Sequence, residues 1–253
     1  MKRARIIPVL LLHNNGLVKT IKFDNGKYIG DPINTVKIFN DKQCDEIILL
    51  DISATKQNKE INFKLVEELA SECFMPLAYG GGIYKIDQIE KLLKIGIEKI
   101  VLNSVLVKDL SFLETVVKYY GSSTIVASVD VKKNLFGKYV IYSHSKIKVP
   151  DTALLDFLKE IENCGAGELM INSVDVDGLM SGYDLKLAKM VSDHLSIPSI
   201  LCGGCGSFDN IANLFLNTHI SAAAAGSFFV YHGPHKAVLI NYPSPKQISE
   251  INQ

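Results

Sequence analysis

The chain has 253 residues, 47% hydrophobic and 21% charged, and its formal net charge is zero. That balance is ordinary for a globular enzyme and gives no support to nucleic acid or an anionic membrane as partner. No apolar run approaches the ~18 residues of a membrane span, no trustworthy signal core follows Met-Lys-Arg-Ala-Arg, and five scattered cysteines read as reduced thiols of a cytoplasmic protein.

Apolar, β-branched runs alternate with helical patterns along the chain. The expected strands are Ile6–Leu12, Glu46–Asp51, Pro76–Gly80, Lys99–Asn103, Thr124–Asp130, Glu168–Asn172, Ser199–Gly203 and Ala222–Gly226. Between them the spacing predicts helices over Asp31–Asp41, Asn62–Glu72, Asp87–Lys94, Asp109–Tyr120, Ala153–Cys164, Asp184–Leu195 and Phe208–Leu216, with Asp31-Pro32, Asp109 and Asp184 as start signals. Eight such strands predict a closed (β/α)8 TIM barrel; an open doubly wound sheet is the alternative, but no G-x-G-x-x-G follows the first strand. Glu46-Ile-Ile-Leu-Leu-Asp51 aligns with Glu168-Leu-Met-Ile-Asn-Ser173, and the Pro76 and Pro198 segments align at the same separation. This predicts one domain built from two (β/α)4 halves, 1–122 and 123–242, with a polar tail at 243–253. Asn134–Lys148, turning at Gly137, reads as a hairpin inserted after the fifth strand.

Chemistry concentrates where strands end. Gly80-Gly81-Gly82 and Asn103-Ser104 close strands three and four, and Gly203-Gly204 and Gly226-Ser227 close strands seven and eight. Glycine lets backbone N–H groups approach an oxyanion, and a small hydroxyl adds a donor; plain tight turns use the same residues. Two clusters half a barrel apart favour a ligand with a phosphate at each end, and a short helix starting at Ser227 would add its dipole. Asp130 is the candidate general acid or base at the barrel mouth, with capping of the hairpin behind it as the other role. Asp51, and Asp177 in an Asp-Val-Asp-Gly loop, can orient ligand hydroxyls or serve turns. Lys19, in a polar loop after the first strand, can reach a phosphate or stay solvated.

Cys202-Gly-Gly-Cys205 has redox or zinc spacing but no second pair; His13, His219, His232 and His235 lack ligand spacing, and His144 and His194 read as surface residues. No metal or cofactor is expected. Arg5, Glu46, Lys99 and Glu168 stand at the starts of strands one, two, four and six. They can ring the bottom opening as alternating ion pairs, or be ordinary strand-edge charges.

Taken together, Arg5-Ile-Ile-Pro, Gly30-Asp31-Pro32, Leu50-Asp51-Ile52, Gly80-Gly81-Gly82-Ile83, Asn103-Ser104, Val129-Asp130, Gly165-Ala166-Gly167-Glu168, Asp177-Gly178, Ser181-Gly182-Tyr183-Asp184 and Gly203-Gly204 resemble the cyclase subunit of imidazole glycerol phosphate synthase, over roughly residues 4 to 230. The resemblance implies a half-barrel-duplicated enzyme that works with a glutaminase subunit, held at the N-terminal face. Glutamine-derived ammonia passes through the barrel and attacks a bisphosphorylated, nucleotide-like substrate at the C-terminal mouth. It assigns Arg5, Glu46, Lys99 and Glu168 to the gate through which ammonia enters.

Two positions depart from that family. Its general acid/base aspartates end strands one and five; the second matches Asp130, whereas the first is Leu11. Leucine cannot transfer a proton, and losing a positioned acid or base costs ~10²–10⁴-fold in rate. The family's strand-six threonine is Asn172. With the ending Ala237-Val-Leu-Ile-Asn-Tyr-Pro243, the chain is more similar to a divergent paralogue branch associated with amidation of surface sugars, in which ammonia goes to a separate sugar amidotransferase. A genuine histidine-pathway cyclase is the alternative; the related sugar-phosphate isomerase also has an aspartate on strand one.

Overall fold

The computed structural model describes residues 5–57, 59–144 and 147–251. Residues 1–4 of the first expected half, 145–146 of the expected hairpin and 252–253 of the tail lie outside them. The strands are β1 (Arg5–His13), β2 (Gly16–Ile21), β3 (Asp24–Gly30), β4 (Ile47–Asp51), β5 (Leu77–Gly80), β6 (Lys99–Leu102), β7 (Ile125–Lys133), β8 (Tyr139–Tyr142), β9 (Glu168–Ser173), β10 (Ser199–Cys202), β11 (Ala222–Ala225), β12 (Tyr231–His232) and β13 (Ala237–Val238). The helices are α1 (Pro32–Asp41), α2 (Ala54–Gln57), α3 (Phe63–Ser71), α4 (Ile86–Lys94), α5 (Ser104–Lys108), α6 (Ser111–Tyr120), α7 (Leu154–Asn163), α8 (Leu185–His194), α9 (Phe208–Asn217), α10 (Ser227–Val230) and α11 (Pro245–Ile251).

Strands β1, β4, β5, β6, β7, β9, β10 and β11 pair in parallel in that order, and β11 returns to β1, so the sheet closes. This is the (β/α)8 barrel that the eight apolar runs predict, and the β11–β1 pairing excludes the open sheet. Successive side chains on a strand point to opposite faces. Ile7, Val9, Ile48, Ala78, Val101, Val126, Met170, Ile200, Ala222 and Ala224 therefore fill the bore as one apolar cluster. Residues of the other parity, such as Ile6, Leu10, Ile47, Leu49, Leu169 and Ile171, pack under the helices in a second cluster. Burial on both faces is why the strands read as unbroken apolar runs.

Local chemistry sets several helix starts. Asp31 accepts the Asn34 amide at 2.8 Å ahead of Pro32, and Asp184 accepts the Leu187 amide at 3.1 Å. The expected Asp109–Tyr120 helix begins later, at Ser111; Asp109 accepts the Ser111 amide at 2.9 Å from two residues upstream. An extra helix, α5, starts directly after β6.

Two antiparallel arms rise from the C-terminal ends of barrel strands. β2 pairs with β1 (Leu11 opposite Val18) and with β3, and β8 pairs with β7 (Asp130 opposite Tyr142). The second arm is the expected hairpin. The first corrects the reading of residues after β1 as a polar loop: Leu17, Val18, Lys19 and Thr20 are all buried.

The residue just before the tail packs onto the barrel. Tyr242 reaches back to the start of the barrel, its hydroxyl donating to the Ile6 carbonyl at 2.9 Å and accepting the Asp45 amide at 3.2 Å. Replacing Tyr242 by Phe orphans that buried carbonyl. Tyr242→Phe is expected to lower unfolding stability by about 1–2 kcal/mol, read from urea denaturation.

Candidate functional site

The C-terminal ends of the strands enclose a cavity of about 190 Å³. Strand parity turns Leu11, Leu50, Asn103, Ser128, Asp130, Asn172 and Cys202 inward at this level, above the apolar bore. One wall, from β1 and β4, is apolar (Val9, Leu11, Leu50). The opposite wall, from β6, β7 and β9, is polar (Asn103, Ser128, Asp130, Asn172).

Asp130 is the centre of the polar wall. Its Oδ1 accepts from the Asn172 amide at 2.7 Å, and the same amide lies 3.1 Å from Ser128 Oγ. Burial pushes the Asp130 carboxyl up to about 6; hydrogen bonds from Asn172 and Asn103 pull the other way, and the charge of Asp177 adds to the rise. Asp130 thus titrates near neutrality, where a general acid or base is effective. Leu11 faces the same cavity and supplies no second group.

Lys19 is held differently from a loop lysine. It projects from β2, is 4% exposed, and donates from Nζ to the Val9 carbonyl at 2.6 Å. Burial lowers its pKa to about 8, against the attraction of Asp177. A Cβ at Gly226 would stand 2.4 Å from Nζ, so glycine there is what admits the ammonium beside Gly226 and Ser227. The helix starting at Ser227 is present but only four residues long.

Asp177 ties the first arm to the loop after β9. Its Oδ2 accepts from Thr20 Oγ1 at 3.2 Å and the Phe23 amide at 3.3 Å, and burial raises its pKa. Asp51 lines the cavity, but its Oδ1 accepts the Ser53 and Ala54 amides and the Ser53 hydroxyl, which starts α2. Asn103, Ser104, Gly203, Gly204, Gly226 and Ser227 all line the cavity. Gly82 does not: Gly80 and Gly81 take that place. The chain passes so close to Asp51 that a Cβ at Gly81 would fall 2.3 Å from its carbonyl oxygen, and Gly82 is carried behind Ala54.

Burial pushes Cys202 and Cys205 up to about 12, so both remain thiols at neutral pH. His144, read as a surface residue, is half-buried and lines the mouth, its Nδ1 3.3 Å from the Tyr142 hydroxyl and its ring edge-on to Phe23 of the other arm. Ser128, Thr20 and Phe23 are not among the residues that the sequence points to. Ser128 alone had a local signal, lying two residues before Asp130 on the same strand face.

At the opposite end, Arg5, Glu46, Lys99 and Glu168 form a closed ring. Arg5 bonds Glu46 at 3.0 Å and Glu168 at 2.5 Å; Lys99 bonds Glu46 and Glu168, each at 3.1 Å. β1 and β9 are not neighbours, so their side chains meet only across the bore. Glu46 is 3% exposed. Burial works against the Arg5 charge, but the two carboxylates outweigh it and raise its pKa.

A family model described as "Histidine biosynthesis protein" matches residues 5–236. The chain belongs to that family. Relatives carrying the provisional name imidazole glycerol phosphate synthase subunit HisF, hisF2 or hisF3 align along nearly their whole length. The HisF of Leptospira borgpetersenii is 48% identical over 96% of both chains. The hisF2 of Pseudomonas aeruginosa is 43% identical over 98% of this chain and 99% of its own, and the hisF3 of Vibrio vulnificus is 45% identical over 98% and 95%. Numbered copies occur among these HisF-like relatives, and at the end of strand one this chain has Leu11 where the family resemblance implies an aspartate.

The raised Asp130 pKa has a consequence for stability. Its folded value lies above the ordinary 3.8, so the folded state holds the extra proton between about pH 4 and 6. Stability contributed at low pH is lost as pH rises through about 6. Asp130→Asn is therefore expected to match the parent chain near pH 4 and exceed it by about 1–3 kcal/mol at pH 8, measured by urea denaturation at both values.

Proposed function

We propose that this HisF-like subunit receives glutamine-derived ammonia from a glutaminase bound at its N-terminal face and delivers it to a phosphate-bearing ligand at the mouth. The setting is amidation in surface-sugar biosynthesis, with a separate sugar amidotransferase, in the cytoplasm. The observation that carries this reading is the pairing of an intact ionic ring with Leu11. The ionic ring at the bottom is closed, whereas at the mouth Asp130 faces Leu11 where the family resemblance implies a second aspartate.

In this reading Asn103, Ser104 and the Gly81 turn hold one anion, and Gly203, Gly204, Gly226, Ser227 and Lys19 hold the other. Glycine backbone admits close approach of phosphate oxygens, and Lys19 supplies charge. Asp130, with its pKa near 6, accepts or returns a proton, positioned by Asn172. The names of the relatives, as synthase subunits, support the glutaminase at the bottom face.

The second reading, a cyclase of histidine biosynthesis, is favoured by the family description itself. Turnover of the imidazole-pathway substrate with added ammonia separates the two. In the first reading the parent chain is slower than Leu11→Asp by a factor on the order of 10²–10⁴, and Asp130→Asn abolishes what remains. Activity of Leu11→Asp should rise with pH through an inflection above the parent Asp130 value of about 6, because the added carboxylate disfavours a second negative charge. Fast cyclisation by the parent chain would establish the histidine pathway instead.

The partner is tested by co-purification with a HisH-type glutaminase from the same organism and by its glutamine hydrolysis. We expect a one-to-one complex and stimulated hydrolysis. Lys99→Ala should keep the fold, because Glu46 and Glu168 retain Arg5, and should uncouple hydrolysis from ammonia delivery. Absence of a complex and of stimulation with ligand present would reduce the ring to a structural ion-pair cluster.

A further inference from the structure

The arm formed by β7 and β8 ends in a feature that neither the cavity nor the ring explains. At its tip Leu135 is 102% and Phe136 89% exposed, and Val140 on the returning strand is 37% exposed. Adjacent large apolar side chains fully in water mark an interaction site. The tip is fastened. Asn134 and Lys138 bond through the backbone at 2.9 Å, Gly137 donates to the Asn134 carbonyl, and Asn134 Oδ1 accepts the amides of both Phe136 and Lys138. The apolar pair is thus held outward by a pinned turn.

Charge is segregated around it. From Val131 to Pro150 the sequence has five lysines and neither Asp nor Glu, in a chain of zero net charge. Lys133 is paired with Asp184 at 3.0 Å, whereas Lys132 and Lys138 flank the tip and Lys148 is exposed further along the segment. We propose that this arm is a membrane-docking finger, with Leu135 and Phe136 entering the interface of an anionic lipid surface and Lys132, Lys138 and Lys148 pairing with its headgroups.

A lipid surface fits the observations better than a protein does. A stable protein interface needs on the order of 1,000 Å² of matched surface, and two side chains on a turn supply a small part of that. A bilayer asks for no shape match, only an apolar tip with cations behind it. Each lysine near an anionic surface adds about a five-fold gain in binding, so three give about a hundred-fold gain that salt removes. Among the described residues no helix is long and apolar enough to cross a membrane, so the contact is superficial and reversible. Asp130 and Tyr142 are register partners at the base of the arm, so docking sets the mouth beside the lipid surface. This does not depend on the proposed amidation role.

The test is co-sedimentation of the full chain with vesicles of equal parts phosphatidylglycerol and phosphatidylcholine, against phosphatidylcholine alone. The chain is expected to sediment with the anionic vesicles at low salt and to be released by high salt. Leu135→Ser with Phe136→Ser should weaken binding at least about ten-fold, and Lys138→Glu should weaken it and flatten its salt dependence. Both variants alter exposed positions, and unchanged far-ultraviolet circular dichroism and melting would verify their folding. A parent chain that stays in the supernatant would overturn the proposal and assign the tip to a protein surface. Binding that is equal on neutral vesicles, or undiminished in the double variant, would also overturn it.

Discussion

The pairing of β1 with β11 carries the architecture. Four residue pairs, from Arg5 with Ala222 to Pro8 with Ala225, join the first and last barrel strands. Without them the sheet has two open edges and no enclosed bore, and the charges on β1 and β9 have no common space to meet across. The strand that makes this closure consists of four alanines. Ala222 and Ala224 occupy little of the bore, leaving its cross-section to Ile7, Met170 and Ile200. Interiors pack to near-crystalline density, so bulky and small side chains must share the circle.

Closure also sets the electrostatics of the two ends. Burying four charges at the bottom is costly, and the cost is offset because each carboxylate meets two cations and each cation two carboxylates. At the top the charges are kept apart. Asp130 lies among amides and a hydroxyl on one wall, while Lys19 is drawn aside to the Val9 carbonyl and the Gly226 backbone. Each is held with its charged form disfavoured by burial, on different walls of one cavity.

How far the sequence discloses this depends on the range of the forces involved. Barrel strands were legible because burial on two faces demands a local run of apolar residues, and the eight strands of the closed barrel lie within a few residues of their expected bounds. The Asp31 and Asp184 helix starts were legible because a carboxylate cap acts over three residues. The polar-loop reading of the stretch holding Lys19 misses β2, because part of what buries this arm is remote: Asp177, the partner of Thr20, is 157 residues away. Tyr242 finds the Ile6 carbonyl 236 residues away, so nothing near it signals its role. Gly82 was displaced from the expected cradle by one residue, because the tight passage against Asp51 falls at Gly81. His144 looked exposed because Phe23, which packs on it, belongs to the other arm.

The apolar middle of the bore separates the two polar ends. Between the ring and Ser128 the inward side chains are aliphatic or thioether, from Ile7 and Ile48 to Val126 and Ala222, and offer no hydrogen-bonding group. An ion driven through that layer would surrender its hydration for nothing, at a penalty of several kcal/mol or more, whereas a small neutral molecule loses little. The layer is a low-dielectric partition that holds the charges of the ring apart from those at the mouth.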